Sequence, residues 1–243
     1  MKLKLSATPL SMPPDSLSLD DAVPGERIAH SSLSSKVYQS LRASLANGEL
    51  LPGQKLTGRM VSERLGVSQT PVREAMLQLV AERALTMNLN RSVTVPVLSK
   101  AQFIELRDIR VALERLASRC AAPHASPAAI EAVEVLHQRM IAAKRAGDYP
   151  ATMRLNREVH FAIYQLSERP ELVALIESLW IRTGPYLNLI YHHVDPAAIE
   201  PHPHEGLLEA LRAGDPEACA AAIERDIIDG GRAILVGLEE TAG

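Results

Sequence analysis

The chain has 243 residues, 47% of them hydrophobic but only 3% aromatic, with a formal net charge of −3. That length holds two modest domains with a sizeable core, and an Ala- and Leu-rich, aromatic-poor composition favours packed helices over sheet. No apolar run is long enough to span a bilayer and the first 29 residues contain no continuous hydrophobic stretch, so neither a membrane span nor a secretory leader is expected and the chain reads as cytoplasmic.

Residues 1–29 mix Ser, Pro and Asp and read as a mobile tail. Residues 30–98 read as a small head. In VYQSLRASL, Val37, Tyr38, Leu41 and Leu45 share one face of a helix, which Asn47-Gly48 ends and the Pro52-Gly53 turn follows. GRMVSERLG is a short second helix stopped by Gly66, and a third is expected over roughly 69–83. Helix, tight turn, helix is the helix-turn-helix pattern. ALTMNLN and RSVTVPV then alternate apolar and polar residues around Asn90, as a β-hairpin does. Three helices and a hairpin make a winged helix-turn-helix. The head carries eight Lys and Arg against four Glu, a balance of +4, whereas residues 99–243 come to −6. A basic head on an acidic body fits a polyanion-binding module.

From Lys100 onward the pattern is all helical, with helices expected near 100–122, 127–146, 148–168, 170–192, 197–213 and 215–237. The breaks HASP, AGDYP, ERPE, DP and AGDP separate them. The expected fold is therefore mainly α, an N-terminal winged helix-turn-helix over 30–98 followed by an all-α bundle over 99–243. Cys120 and Cys219 lie in Ala-rich helical patterns and read as small apolar residues rather than a disulfide.

The stretch SQTPVREAMLQL carries the chemistry of the head. The second helix of a helix-turn-helix enters the DNA major groove with its first residues near base edges. Gln69 can bond adenine in bidentate fashion, Ser68 and Thr70 suit phosphate, and Arg73 reaches phosphate or guanine. Arg59 would lie beside the backbone, and Asn90 and Arg91 at the hairpin tip suit a minor-groove or phosphate contact. Taken alone, the stretch also reads as an ordinary capped helix with surface charges.

These residues resemble a known family. VYQSLRASLANGELLPGQKL followed by LGVSQTPVREAMLQL is similar to the DNA-binding head of the GntR family of transcription regulators, over roughly residues 34–96. Gln69 stands where that family usually has Arg, Arg83-Ala84 replaces Gly-Leu, and Ser92 replaces a wing Gly. The resemblance implies a ligand-responsive regulator, most often a repressor, that binds a pseudo-palindromic double-stranded DNA operator as a homodimer.

In NREVHFAIYQLSERPEL, Asn156 and His160 are four apart on one helix face. A lone His on such a face is more often a core residue than a ligand. His204 opens a later helix and Asp226 lies in the last, and nothing local connects the three. The segments FIELRDIRVALERLASRCAA, NREVHFAIYQLSERPEL and HEGLLEALRAGDPEA resemble the FCD ligand-binding domain of the same family. That resemblance implies a divalent ion, Zn²⁺, Ni²⁺ or Mn²⁺, held by Asn156, His160, His204 and Asp226, with His usual at the last position. It also implies a small organic acid effector. Arg110 matches the R..LE position, either as a pocket cation for a carboxylate or as the partner of an acidic neighbour, and Arg182 is expected to face the pocket. His124, His137, His192, His193 and His202 read as helix-end or surface residues. The alternatives are the same regulator with a metal-free pocket for a larger acyl ligand, and a metallohydrolase, although no HExxH pair occurs.

Overall fold

The computed structural model describes residues 32–88, 92–189 and 202–240. The expected tail, the hairpin-tip residues Asn90 and Arg91, and His192 and His193 lie outside them.

The head runs through α1 (Ser32–Ala46), β1 (Lys55–Leu56), α2 (Gly58–Leu65), α3 (Gln69–Ala81), β2 (Thr86–Met87) and β3 (Val93–Thr94). Val37, Tyr38, Leu41 and Leu45 of α1 pack on Val61 of α2 and on Val72, Ala75, Met76 and Leu79 of α3, so the apolar spacing in the sequence becomes one core. Thr57 starts α2 by accepting the Met60 N–H on its hydroxyl at 3.2 Å. Gly66, at φ 65°, ends it in the left-handed conformation that turns the chain into α3. Ser68 holds the extended backbone of a capping position, yet its hydroxyl makes no capping bond. The expected hairpin forms with Met87 opposite Val93. An unanticipated strand, β1, pairs with the other edge of β3 and completes a sheet of order β1-β3-β2. Two residues are too few to show an alternating pattern, so β1 left no periodic signal.

The body consists of α4 (Lys100–Ala121), α5 (Pro127–Arg145), α6 (Tyr149–Gln165), α7 (Pro170–Thr183), α8 (Pro203–Ala213) and α9 (Pro216–Glu240). Helix α9 lies along α4, α6 along α5, α7 on α4, and α8 against both α9 and α5. Between them Val159, Ile163, Tyr164, Ile176, Leu207 and Ile223 form a continuous apolar core. The largest departure from expectation is α7, which stops at Thr183 and passes into a 3-10 turn over Gly184–Tyr186 instead of running to 192. Pro185 supplies no N–H to continue the ladder. The end of α1 also presses on this turn, since a Cβ on Gly184 would overlap the Leu45 carbonyl oxygen.

The described residues from Leu33 onward form one compact unit. Ile181 of α7 is buried in the head's core rather than the body's. Arg42 of α1 pairs with Glu177 of α7 at 3.2 Å. The Tyr186 hydroxyl donates to the Pro96 carbonyl at 2.9 Å and accepts the Leu98 N–H at 2.6 Å. No helix among the described residues is long and apolar enough to cross a membrane.

Candidate functional site

Two places gather polar side chains without using them up in the fold. On the head, Ser68, Gln69, Thr70 and Arg73 are all exposed around the start of α3. Gln69 Oε1 would stand 3.8 Å from a Cβ on Gly58, which sets the amide beside the first turn of α2, next to Arg59. Arg59 is exposed and bonds Glu63 at 2.8 Å. Free amide N–H groups and the helix dipole at such an end favour an anion.

The second place is a cavity of about 540 Å³ inside the body, whose lining includes Arg110, Asn156, His160, Trp180, Thr183 and Asp226. Beneath it lies Glu114, 0% exposed. Its carboxylate accepts from Arg110 Nε at 2.7 Å, from Trp180 Nε1 at 3.1 Å and from the Tyr164 hydroxyl. A buried carboxylate with these donors is fully bonded. Burial by itself lowers Arg110, but the Glu114 carboxylate more than offsets it and the guanidinium stays charged. Burial, then Glu114, raises the Tyr164 hydroxyl well above its ordinary range. Tyr164 therefore keeps its proton and donates it in a hydrogen bond to Glu114.

That commitment orients His160. With its proton directed at Glu114, the Tyr164 oxygen accepts from His160 Nδ1–H at 2.9 Å, which turns His160 Nε2 into the cluster. Nε2 stands 3.2 Å from Asp226 Oδ2 and 3.2 Å from His204 Nε2, and His204 Nε2 is 3.8 Å from Asp226 Oδ1. The corners of a tetrahedral site with bonds of about 2.0–2.1 Å stand about 3.4 Å apart. Burial alone would raise Asp226, but the neighbouring His160 and His204 hold it below the usual carboxylate range. Burial pushes His204 well below its ordinary value even with Asp226 beside it, so that ring is neutral. A metal ion where the three groups converge complements this arrangement.

Residues 33–95 match the family described as bacterial regulatory proteins, gntR family, and residues 105–229 match the FCD domain. The chain is 36% identical to the HTH-type transcriptional regulator McbR of Escherichia coli (strain K12) over 195 residues, 79% of this chain and 88% of that one. The chain belongs to the GntR family. The solved structure of E. coli McbR/YncC matches with a TM-score of 0.78 and 33% identity, over 88% of this chain and 100% of that one. The HTH-type transcriptional repressor RspR of E. coli is 26% identical over 79% of this chain and 84% of its own. This GntR-family chain is a DNA-binding regulator of transcription with a winged helix-turn-helix head and an FCD body. The hydrolase alternative falls to these relatives, which are regulators.

In this GntR-family fold, His160, His204 and Asp226 come together from α6, α8 and α9, and Asn156, one turn before His160, lines the same cavity. Arg110 lines it too and is at the same time the partner of Glu114. Arg182 does not line it; the half-buried side chain sits near Arg83 and Glu105 instead. Trp180 and Thr183, three apart, take the cavity face of α7, which turns Arg182 away. Two further histidines border this cluster. His202 does sit at a helix start, accepting the His204 N–H at 3.3 Å, but it also lines the cavity. His137 is buried rather than at the surface, with its ring against both His202 and His204. The doublet His202-Pro-His204 was a visible signal, whereas His137 on an amphipathic helix gave none.

Proposed function

We propose that this regulator is a ligand-responsive repressor in which two copies bind a pseudo-palindromic operator through Gln69, Arg73 and their neighbours. On this reading the FCD cavity takes a small organic carboxylate through a divalent ion. The observation that carries it is the cluster of His160, His204 and Asp226, whose donor atoms stand 3.2–3.8 Å apart. Two imidazoles, a carboxylate and the Asn156 amide oxygen suit Zn²⁺, Ni²⁺ or Mn²⁺. Such an ion supplies a fixed positive charge at which an effector carboxylate is recognised. The chain's own residues do the rest. Glu114 and Tyr164 hold His160 in the ligating orientation, and Arg110 adds a cation on the same wall. Helix α7 supports a route to the head, since Trp180 and Thr183 line the cavity while Ile181 is buried in the head's core.

The test is metal content of purified wild type, His160→Ala and His204→Ala, with operator binding titrated against small organic acids. Wild type is expected to retain metal that both variants lose, and an acid is expected to change operator affinity only in the metal-loaded protein. Equal metal content in all three proteins would sink the reading.

A further inference from the structure

The proposed ion uses the Nε2 edge of His204, and the other edge of that ring has no role in it. His204 Nδ1 is buried without a hydrogen-bond partner, and the same holds for His137 Nδ1. Buried imidazole nitrogens are rarely left so, because the lost bond to water is not replaced. Both residues belong to one cluster. The ring centres of His137, His202 and His204 stand 5.5, 5.5 and 4.4 Å apart. Three imidazoles sharing one ion through bonds of about 2.0–2.1 Å have ring centres about 5 Å apart. Each of the three offers a nitrogen within 4.8 Å of the other two. The Nδ1 of His202 is occupied by the His204 backbone N–H at 3.3 Å, which leaves Nε2 as its ligand atom. His137 comes from α5 and the other two from the start of α8, helices that pack directly together, so the triangle is held by the fold. His202 lines the cavity, which opens a path for an ion.

We infer that His137, His202 and the Nδ1 edge of His204 form a second transition-metal site beside the first, with His204 bridging the two. The bridge rests on the metal reading above; the three-histidine site does not. When both positions fill, the second ion replaces the proton on His204 Nδ1. That proton passes to solvent, and the ring becomes an imidazolate between two cations. The two sites differ in chemistry. Three imidazoles without a carboxylate suit Zn²⁺, Ni²⁺ or Cu²⁺, whereas Mn²⁺ favours oxygen donors and fits only the site with Asp226 and Asn156.

The test strips the full-length protein with chelator, reloads it with Zn²⁺ or Mn²⁺, and counts ions per chain by native mass spectrometry. Wild type is expected to take two Zn²⁺ but one Mn²⁺. His137→Ala and His202→Gln each lose one Zn²⁺ and keep their Mn²⁺. Asp226→Ala loses the Mn²⁺ and keeps one Zn²⁺, and His202→Gln with Asp226→Ala takes none. A wild type that takes a single Zn²⁺, lost in Asp226→Ala and kept in His202→Gln, overturns the second site and leaves the first standing. Loss of Zn²⁺ in His202→Gln with none lost in Asp226→Ala would instead remove the first site and spare the second. Two Mn²⁺ per chain would overturn the nitrogen-only assignment. If a thermal melt shows His137→Ala unfolded, His202→Gln, at the cavity wall, decides alone.

Discussion

At the scale of single residues, burial separates the charges that hold this protein together from those that merely decorate it. Arg59 and Glu63 pair at 2.8 Å with side chains 80% and 64% exposed, a geometry that contributes at most about 0.5 kcal/mol. Arg110 and Glu114 pair at 2.7 Å out of water, and Tyr164 and Trp180 depend on the same carboxylate. Glu114→Ala strands a buried guanidinium and should cost about 3–5 kcal/mol. Trp180 is the single tryptophan, so urea unfolding followed by its fluorescence reads this directly; a midpoint unchanged from wild type would refute it. In the head, Tyr38 donates to Glu82 at 2.7 Å, and burial followed by that bond pushes its pKa from 10.0 up to about 12. The folded state therefore holds this proton more tightly than the unfolded chain. The resulting stability is complete below pH 10 and is lost as the pH rises towards 12. Tyr38→Phe should cost about 1 kcal/mol at neutral pH and unfold with a shallower alkaline slope than wild type. Parallel alkaline curves for the two proteins would rule this assignment out.

At the scale of elements, α3 and α7 show how one helix serves two ends. The buried face of α3, Val72, Ala75, Met76 and Leu79, fixes it in the head, so its first turn can present Gln69, Thr70 and Arg73 outward. Gln69→Ala should cost about 1–3 kcal/mol on the operator and relax specificity at one base pair. Arg59→Ala should weaken binding to all sequences alike and flatten the salt dependence, because releasing Arg59 from the exposed Glu63 pair costs little. Operator titrations against single-base variants at several salt concentrations separate the two, and identical profiles would contradict the division of labour. Helix α7 places Trp180 and Thr183 on the cavity and Ile181 in the head because residues one apart on a helix point about 100° away from each other.

At the scale of the whole molecule, the head and body meet where α1 ends against the turn at Gly184. A Cβ there would overlap the Leu45 carbonyl oxygen, and backbone cannot step aside as a side chain can. Gly184→Ala should therefore cost about 1–3 kcal/mol, visible as a lowered melting temperature. An unaltered melt would show that this junction gives way freely. This junction is one of the contacts through which a cavity ligand could act on the operator, and a coupling of about 1–3 kcal/mol is the usual size of such an effect. Much of the architecture was legible in the chain itself. The spacing of Val37, Leu41 and Leu45, the stop at Gly66, and the Pro and Gly breaks of the body are local instructions, and local periodicity is enough to produce helices. Asn156 and His160 were likewise visible as a pair because one helix face contains both. What local pattern could not reveal was which other side chains meet them. Only family likeness ties His204 and Asp226 to that pair, no local pattern marks Glu114 as the carboxylate that orients His160, and the buried His137 reads from sequence as a helix-end or surface residue. Those meetings depend on how α4, α5, α6, α8 and α9 cross, which is decided by core packing between residues far apart in sequence and leaves no periodic trace along the chain.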